Sequence, residues 1–339
     1  MNAQGQRRSR RRWVIAGLVG LVVILVVAYT GASFLVYDGI SAKVACQFKG
    51  SPDSFAVDPK YGIDAAQYEM PIPEAVEFAS RDPQLGETRL AGWWIPAEGA
   101  TSVADAPAVV VIHGVQSCRR EPSILLAAGM LHRNGYSVFL PDLRDHGDSP
   151  GDDGRFSGGT EEYLDVLGAW DWVRQQGVPA DRIGIAGFSF GSANTMIAGG
   201  QERQVPAVWV DSGYPRTADA LGNFLADHSP FPQPLAGWIV PMAAVWAKVI
   251  ANDDILRFDP GKELAAYGGR DIAFVHGAQD KTLPAAWATE LRDAAVAAGA
   301  TSPDVWVVPG AGHTEAIYLQ PKEYEQRLTD FFGSALAAP

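Results

Sequence analysis

The stretch Gly187-Phe188-Ser189-Phe190-Gly191 follows a short apolar run, Asp181-Arg-Ile-Gly-Ile-Ala186, and precedes Ser192-Ala-Asn-Thr-Met-Ile-Ala198. The apolar run is typical of a buried strand, and the segment after it is typical of the start of a helix. A serine between two glycines at such a strand-to-helix turn has the setting of a nucleophile elbow. The turn is so sharp that a Cβ two residues to either side would collide, which explains both glycines. The pattern predicts that Ser189 presents a nucleophilic hydroxyl at the end of a strand.

Strand-like and helix-like segments alternate on both sides of this stretch. The segments 74–80 and 88–95 read as an antiparallel pair of strands. Further strands are predicted at 108–112, 136–140, 183–186, 207–210, 271–275 and 305–308, with helices at 122–133, 159–176, 283–298 and 323–337. This alternation predicts an α/β protein with a doubly wound, mostly parallel sheet. Ligands bind such sheets at the carboxyl ends of the strands.

One insertion breaks this rhythm, because about 60 residues separate the strand ending at Asp211 from the strand starting at Asp271. A plain crossover needs far fewer residues, so we expect a helical cap at about 212–270. Within it, apolar side chains recur at helical spacing: Trp238, Met242, Val245, Trp246 and Val249. Such a stripe is commonly part of a core. The alternatives are an acyl-chain pocket or a lid that touches a bilayer.

The N-terminus predicts a membrane anchor. Residues 13–36 carry no charge over 24 positions, and a helix needs about 20 such residues to cross a bilayer. Five arginines precede this segment: Arg7, Arg8, Arg10, Arg11 and Arg12. They predict that residues 1–12 form a cytoplasmic tail and residues 13–37 the anchor. Residues 38–73 would then be a tether, and the α/β domain at 74–339, with its cap, would lie outside the cytoplasm. The alternative is a signal peptide cleaved near Thr30-Gly31-Ala32, which would release the body.

Composition excludes some partners and leaves others open. The net charge of −12 argues against nucleic acid, while 47% hydrophobic residues and 10 Trp allow a large core. The two cysteines, Cys46 and Cys118, have no metal-ligand spacing. They could pair if the body lies outside the cytoplasm, although the sequence does not show that they come close. No metal or organic cofactor is expected, and the oligomeric state stays open.

A serine nucleophile needs a base, and the expected base is His313. It lies in Pro309-Gly-Ala-Gly-His-Thr314, directly after the last predicted strand. The base needs a carboxylate that fixes its tautomer. Asp280 follows the penultimate strand and is the preferred acid, and Asp211, at the end of the preceding strand, is the rival. Two backbone N–H groups should stabilise the oxyanion, that of Phe190 and that of Val115 in the loop after the strand 108–112.

Taken together, these motifs resemble the serine hydrolases of the α/β-hydrolase superfamily. They are His113-Gly114, Pro141-Asp-Leu-Arg-Asp-His-Gly-Asp-Ser149, the 187–191 elbow, His276-Gly-Ala-Gln-Asp280 and Gly310-Ala-Gly-His313. Their order along the chain is that of the superfamily, over roughly residues 74–337. The segment Leu90-Ala-Gly-Trp-Trp-Ile-Pro96 is similar to members with one N-terminal membrane helix.

The resemblance and the residues imply a membrane-tethered serine hydrolase that cleaves an ester or thioester. The apolar cap favours a small-molecule or lipid ester with an apolar acyl group as its substrate. An acyltransferase or a peptidase would use the same three side chains, and the sequence does not separate these acceptors. A catalytically silent scaffold is the alternative from another class. It would be free to lose the serine, the histidine or the aspartate, and all three are present.

Overall fold

A single sheet of eight strands forms the centre of the computed structural model, which describes residues 3–43, 45–151, 153–229, 232–301 and 303–336. The strands are β1 (Glu74–Ala79), β2 (Arg89–Ile95), β3 (Ala108–Ile112), β4 (Ser137–Pro141), β5 (Ile183–Phe188), β6 (Ala207–Asp211), β7 (Asp271–Gly277) and β8 (Asp304–Val308). Their spatial order is β1-β2-β4-β3-β5-β6-β7-β8. Strands β1, β2 and β4 pair antiparallel, and all other pairs are parallel. The predicted fold class is confirmed.

Ten α-helices accompany the sheet within the described residues. They are α1 (Ala3–Ser41), α2 (Pro122–Arg133), α3 (Glu162–Gln175), α4 (Phe190–Gln201), α5 (Thr217–His228), α6 (Gln233–Ile250), α7 (Pro260–Glu263), α8 (Ala286–Ala297), α9 (Ala316–Leu319) and α10 (Pro321–Ala335). Val109 and Val111 of β3 face the core under α2 and α10, while Val110 and Ile112 face the core under α3, α4 and α8. Both faces of the sheet are therefore covered, as a β-branched parallel strand predicts.

The insertion between β6 and β7 is helical, as expected, and consists mainly of α5 and α6. The stripe predicted on α6 is not a core stripe, since Trp238, Val245 and Val249 are exposed. The buried face of α6 consists of Ala236, Ile239, Val240, Ala243 and Ala247. None of the stripe residues lines the cavity beside Ser189, so the acyl-pocket interpretation of this stripe is also wrong.

The N-terminal helix is longer than the predicted anchor, and its C-terminal part packs against the body. Two described helices are long and apolar enough to cross a membrane, Arg10–Ser41 of α1 and α6 itself. The chain after α1 does not hang free as a tether would. Its side chains Phe55, Val57 and Met70 join the core beneath α2. Residues 1–2 of the predicted tail and 337–339 of the last domain lie outside the described residues.

A disulfide joins Cys46 to Cys118, with 5.8 Å between their Cα atoms. The sequence left this pairing open. The bond attaches the segment after α1 to the loop between β3 and α2, and that loop also carries Val115 and Gln116. A stable disulfide is typical of proteins outside the cytoplasm.

Candidate active site

The elbow places Ser189 between β5 and α4 in a strained backbone conformation, with φ 54° and ψ −118°. Few non-glycine residues adopt a positive φ, and those that do cluster at functional sites. The turn leaves no room for side chains nearby. A Cβ on Gly191 would lie 2.5 Å from the carbonyl oxygens of Ile112 and His113, and one on Gly187 would overlap the Gly191 backbone. The sharp turn thus requires both glycines and pushes the Ser189 side chain outward.

Three side chains that are far apart in sequence meet at this turn. The His313 Nε2 lies 2.8 Å from the Ser189 Oγ, and the His313 Nδ1 lies 2.7 Å from the Asp280 Oδ2. The other carboxylate oxygen, Oδ1, accepts the backbone N–H groups of Thr282 and Leu283 at 2.9 and 2.8 Å. Asp280 is therefore fixed by its own loop and can orient the ring of His313. The structure brings together the serine, the histidine and the preferred acid that the sequence predicted.

The pKa values of this pair are shifted in opposite directions. Burial alone would raise the pKa of Asp280, but hydrogen bonds from His276 and His313 outweigh burial and hold that pKa well below its usual range. Burial alone would lower the pKa of His313. The hydrogen bond to Asp280 and the negative charges of Asp280 and Asp211 outweigh it, so the pKa of His313 is raised. The carboxylate therefore stabilises a protonated His313.

The rival acid, Asp211, does not hydrogen-bond His313. Its Oδ2 accepts the Tyr324 hydroxyl at 2.8 Å and its Oδ1 accepts the Ser212 hydroxyl at 2.9 Å. Burial raises the pKa of Asp211 to about 6. Ser212 Oγ also accepts the backbone N–H of Thr314 at 3.1 Å, so this buried group braces the residue after His313.

Sequence reasoning missed the role of His276. This buried ring lies at the end of β7, and its Nε2 is 3.2 Å from Asp280 Oδ2 and 2.9 Å from the carbonyl oxygen of Leu283. It is therefore a second donor to the carboxylate that contacts His313. The spacing of four residues between His276 and Asp280 is the sequence feature that could have indicated this contact.

The loop expected to hold the oxyanion runs close beside the serine. A Cβ on Gly114 would lie 3.5 Å from the Ser189 Cβ, and Val115 and Phe190 both line the cavity at Ser189. His113 braces this loop. Its Nε2 accepts the backbone N–H of Leu143 at 3.1 Å, so its Nδ1–H donates to the Gly114 carbonyl at 2.8 Å. Burial lowers the pKa of His113 to about 3, which keeps the ring neutral.

A cavity of about 390 Å³ opens at Ser189 and His313. Its walls are mainly apolar and include Ile40, Val115, Phe156, Leu221, Phe224 and Leu283. Ile40 comes from the last turn of α1, and Leu221 and Phe224 come from α5 of the cap. Among the residues that the structure describes, no group of three or more His, Cys, Asp or Glu side chains could hold a metal ion.

The chain is similar to several solved structures of esterases and to that of one peptidase. The Pyrococcus furiosus esterase Pf2001 is 19% identical, with a TM-score of 0.61 over 83% of this chain and 97% of that chain. Est1E from Butyrivibrio proteoclasticus, in a structure with ferulic acid bound, is 17% identical, with a TM-score of 0.57 over 77% of this chain and 100% of that chain. At these identities the likeness shows a shared fold.

A third similar structure is a peptidase, and this chain covers only part of it. The Pyrococcus horikoshii acylaminoacyl peptidase is 17% identical, with a TM-score of 0.56 over 77% of this chain and 40% of that chain. A comparison with curated proteins found no match. The expected resemblance to α/β-hydrolase serine hydrolases is confirmed by these neighbours and by a family model. Because that model matches residues 123–338, more than half of the sequence, the chain belongs to the prolyl oligopeptidase family.

Proposed function

We propose that this hydrolase cleaves carboxylic esters or thioesters that carry an apolar acyl group. The observation that carries the proposal is the chain of hydrogen bonds from Asp280 through His313 to Ser189, which ends in an apolar cavity. Ser189 is the proposed nucleophile, His313 the general base and acid, and Asp280 the residue that orients His313. The backbone N–H groups of Val115 and Phe190 are the proposed oxyanion donors.

Acylation follows from this geometry. The Ser189 Oγ attacks the acyl carbonyl carbon while its proton moves over 2.8 Å to the His313 Nε2. The carbonyl oxygen becomes an oxyanion that accepts the two N–H groups. When the tetrahedral intermediate collapses, the bond from carbon to the leaving oxygen or sulfur breaks, and His313 donates its proton to the leaving alcohol or thiol.

Deacylation repeats these steps with water. His313 removes a proton from a water molecule as the water oxygen attacks the acyl carbon of the Ser189 ester. The second intermediate collapses by breaking the bond to Ser189 Oγ, which takes the proton back from His313. The free acid leaves, and the low pKa of Asp280 keeps its carboxylate charged through both steps, so that it stabilises the imidazolium each time.

The proposed location is a membrane with the body outside the cytoplasm. Support comes from the five arginines near the start of α1, the uncharged 24-residue stretch that follows them and the disulfide between Cys46 and Cys118. A signal peptide cleaved within α1 is the competing interpretation of the same segment.

A peptidase is the second candidate function, and the family membership favours it. The same three side chains would cleave an amide, with His313 protonating the leaving amine. The apolar walls of the cavity favour an acyl chain over a polar peptide backbone.

Two measurements test the proposal. A fluorophosphonate probe should label the wild-type protein and not Ser189→Ala, while folded wild-type protein that stays unlabelled would indicate a silent scaffold. A series of p-nitrophenyl esters from acetate to decanoate should then show activity that increases with chain length. Flat or decreasing activity would contradict the apolar acyl group, and faster turnover of peptide anilides than of any ester would favour the peptidase.

A further inference from the structure

The cap helix α6 presents an apolar face to the outside of the protein. The exposed fractions of Trp238, Val245 and Val249 are 74%, 50% and 68%, and these residues share one helical face. Leu235 and Ile250 are exposed near the two ends of the helix. Lys248 is the only charged residue among its 18 residues. A contiguous apolar face of this kind marks a contact surface for a partner or a membrane.

This face belongs to a helix that crosses the proposed anchor α1. The Tyr29 hydroxyl donates to the Trp238 carbonyl oxygen at 2.7 Å, and Val36 packs against the cluster of Leu225, Ala236 and Ile239 that α5 and α6 share. Tyr29 and Val36 are about 10 Å apart along α1, at 1.5 Å per residue, and both lie beside the N-terminal part of α6.

Two contacts made by Trp246 of α6 also indicate that the two helices cross. Trp246 lies about 12 Å further along α6 than Trp238, at 1.5 Å per residue. Its indole N–H donates to the Thr30 carbonyl oxygen at 3.0 Å. Its ring packs edge-on against the Phe34 ring, with 5.5 Å between the ring centroids. Tyr29 and Thr30, which are neighbours on α1, therefore contact positions of α6 that are about 12 Å apart. A helix that crosses a membrane-spanning helix at a steep angle lies close to the membrane plane.

The length of α1 sets the depth of this crossing. From Trp13 to Ala28, before the first contact with α6, the 16 residues extend about 24 Å. The hydrocarbon core of a bilayer is about 30 Å thick. Spanning it from Trp13 requires about 20 residues, as far as Ala32. The contacts of Tyr29 and Thr30 with α6 therefore fall at the outer edge of the hydrocarbon, which places α6 there too.

The crossing of α1 and α6 lies next to the cavity at Ser189. Leu221 of α5 packs against the cluster of Tyr37, Ala243 and Ala247, which α1 and α6 share, and it also lines the cavity. Ile40, about one turn after Tyr37 on α1, also lines the cavity. Leu221 therefore contacts both the crossing of α1 with α6 and the cavity.

We propose that the exposed face of α6 is immersed in the outer leaflet of the bilayer that α1 spans, and that the cavity takes its ester substrate from that leaflet. The proposal rests on the proposed anchoring and hydrolase function. The occupant of the apolar face is lipid hydrocarbon, because that face adjoins the apolar surface of the anchor. The substrate class is an amphiphilic ester whose acyl chain resides in the membrane.

Depth measurements test the placement of α6 without any activity. Full-length Val245→Cys and Val249→Cys, each labelled with the environment-sensitive dye NBD, are reconstituted into phosphatidylcholine vesicles. Val296→Cys on α8 is the matched control, since Val296 is also 54% exposed but lies away from α1. Nitroxide-labelled lipid should quench the dye at 245 and 249 several-fold more than at 296. Equal quenching at the three positions would overturn the proposal.

A second experiment tests delivery from the leaflet. In Val245→Glu/Val249→Glu, hydrolysis of 4-methylumbelliferyl oleate dissolved in vesicles should decrease about tenfold, because two charges are costly at the hydrocarbon edge. Hydrolysis of the soluble butyrate should stay unchanged, and Val296→Glu should change neither rate. Equal loss on both substrates, or on neither, would overturn the delivery from the leaflet.

The two experiments separate the possible failures. A wild type that cleaves no ester but shows quenching at 245 and 249 overturns the proposed ester hydrolysis and supports the membrane placement. Wild-type protein that does not float with the vesicles overturns the anchoring itself, and the placement of α6 with it.

Discussion

The carboxylate of Asp280 raises the pKa of His313, and in the proposed mechanism this sets the pH range in which Ser189 can react. Only a neutral His313 accepts the serine proton, so kcat/KM should increase with pH through a pKa above the ordinary value of about 6.5. In Asp280→Asn the charge is lost and burial lowers the pKa of His313, so the profile should shift to lower pH. The rate should decrease by roughly four orders of magnitude. Initial rates on a p-nitrophenyl ester from pH 5 to 9 measure both effects.

Asp211→Asn is the matched control for this prediction. Its carboxyl bonds Tyr324 and Ser212 rather than His313, so we expect a far smaller loss of rate. Because its negative charge also raises the pKa of His313, the profile should shift to lower pH, but less than in Asp280→Asn. A larger loss in Asp211→Asn than in Asp280→Asn would show that the rival acid is the functional one.

A substitution at Gly191 tests whether the sharp turn at Ser189 requires a glycine there. In Gly191→Ala the new Cβ would lie 2.5 Å from two backbone oxygens that cannot move aside easily. We expect a decrease of at least about 1–3 kcal/mol in the free energy of unfolding, measured by denaturant titration. Gly333→Ala in α10 is the control, because its Cβ has room and Ala favours a helix by about 0.5–1 kcal/mol. Equal effects of the two changes would contradict this account.

Single residues also show what the sequence could and could not predict. The contact between His313 and Ser189 was predictable because flanking glycines and chain order mark both residues. The contact of Tyr324 with Asp211, 113 positions apart, was not, because it depends on how α10 packs against β6.

At the scale of elements, the disulfide holds the segment after α1 against the loop that carries Val115. It links positions 72 residues apart, and closing a loop of that size restricts the unfolded chain. Cys46→Ser/Cys118→Ala should lower the free energy of unfolding by about 2–4 kcal/mol. Adding a reductant should lower the denaturation midpoint of the wild type and not that of the double variant. A wild-type denaturation midpoint that does not change with the reductant would contradict a stabilising role of the disulfide.

Element positions were predicted well where the hydrophobic pattern is continuous, as in β3, whose bounds Ala108–Ile112 match the prediction. The orientation of α6 was not predictable. Apolar residues occur around most of this helix, and its small residues Ala236, Ala243 and Ala247 form the buried face. Small side chains there let α1 and α5 approach closely, which a hydrophobicity pattern does not reveal.

For the whole molecule, the proposed topology places the C-terminus outside the cytoplasm. In a bacterial host, alkaline phosphatase fused after the last residue should be active, because that enzyme needs an oxidising space for its own disulfides. Green fluorescent protein at the same position should stay dark. A chain without residues 2–28 is the control and should give the reverse pattern. Fluorescence of the full-length fusion would contradict the orientation.

The last turn of α1 has one more consequence. Ile40 lines the cavity, and its carbonyl oxygen accepts the side-chain amide of Gln116, beside Val115, at 3.3 Å. Biochemists often shorten such proteins to obtain a soluble preparation. A preparation that starts beyond Ser41 would lack Ile40, so its cavity would be wider and more accessible to water. The loop at Val115 would also lose a hydrogen bond that holds it. The substrate selectivity of such a preparation would therefore differ from that of the full chain. Assays of this chain should therefore use it whole, in detergent or lipid.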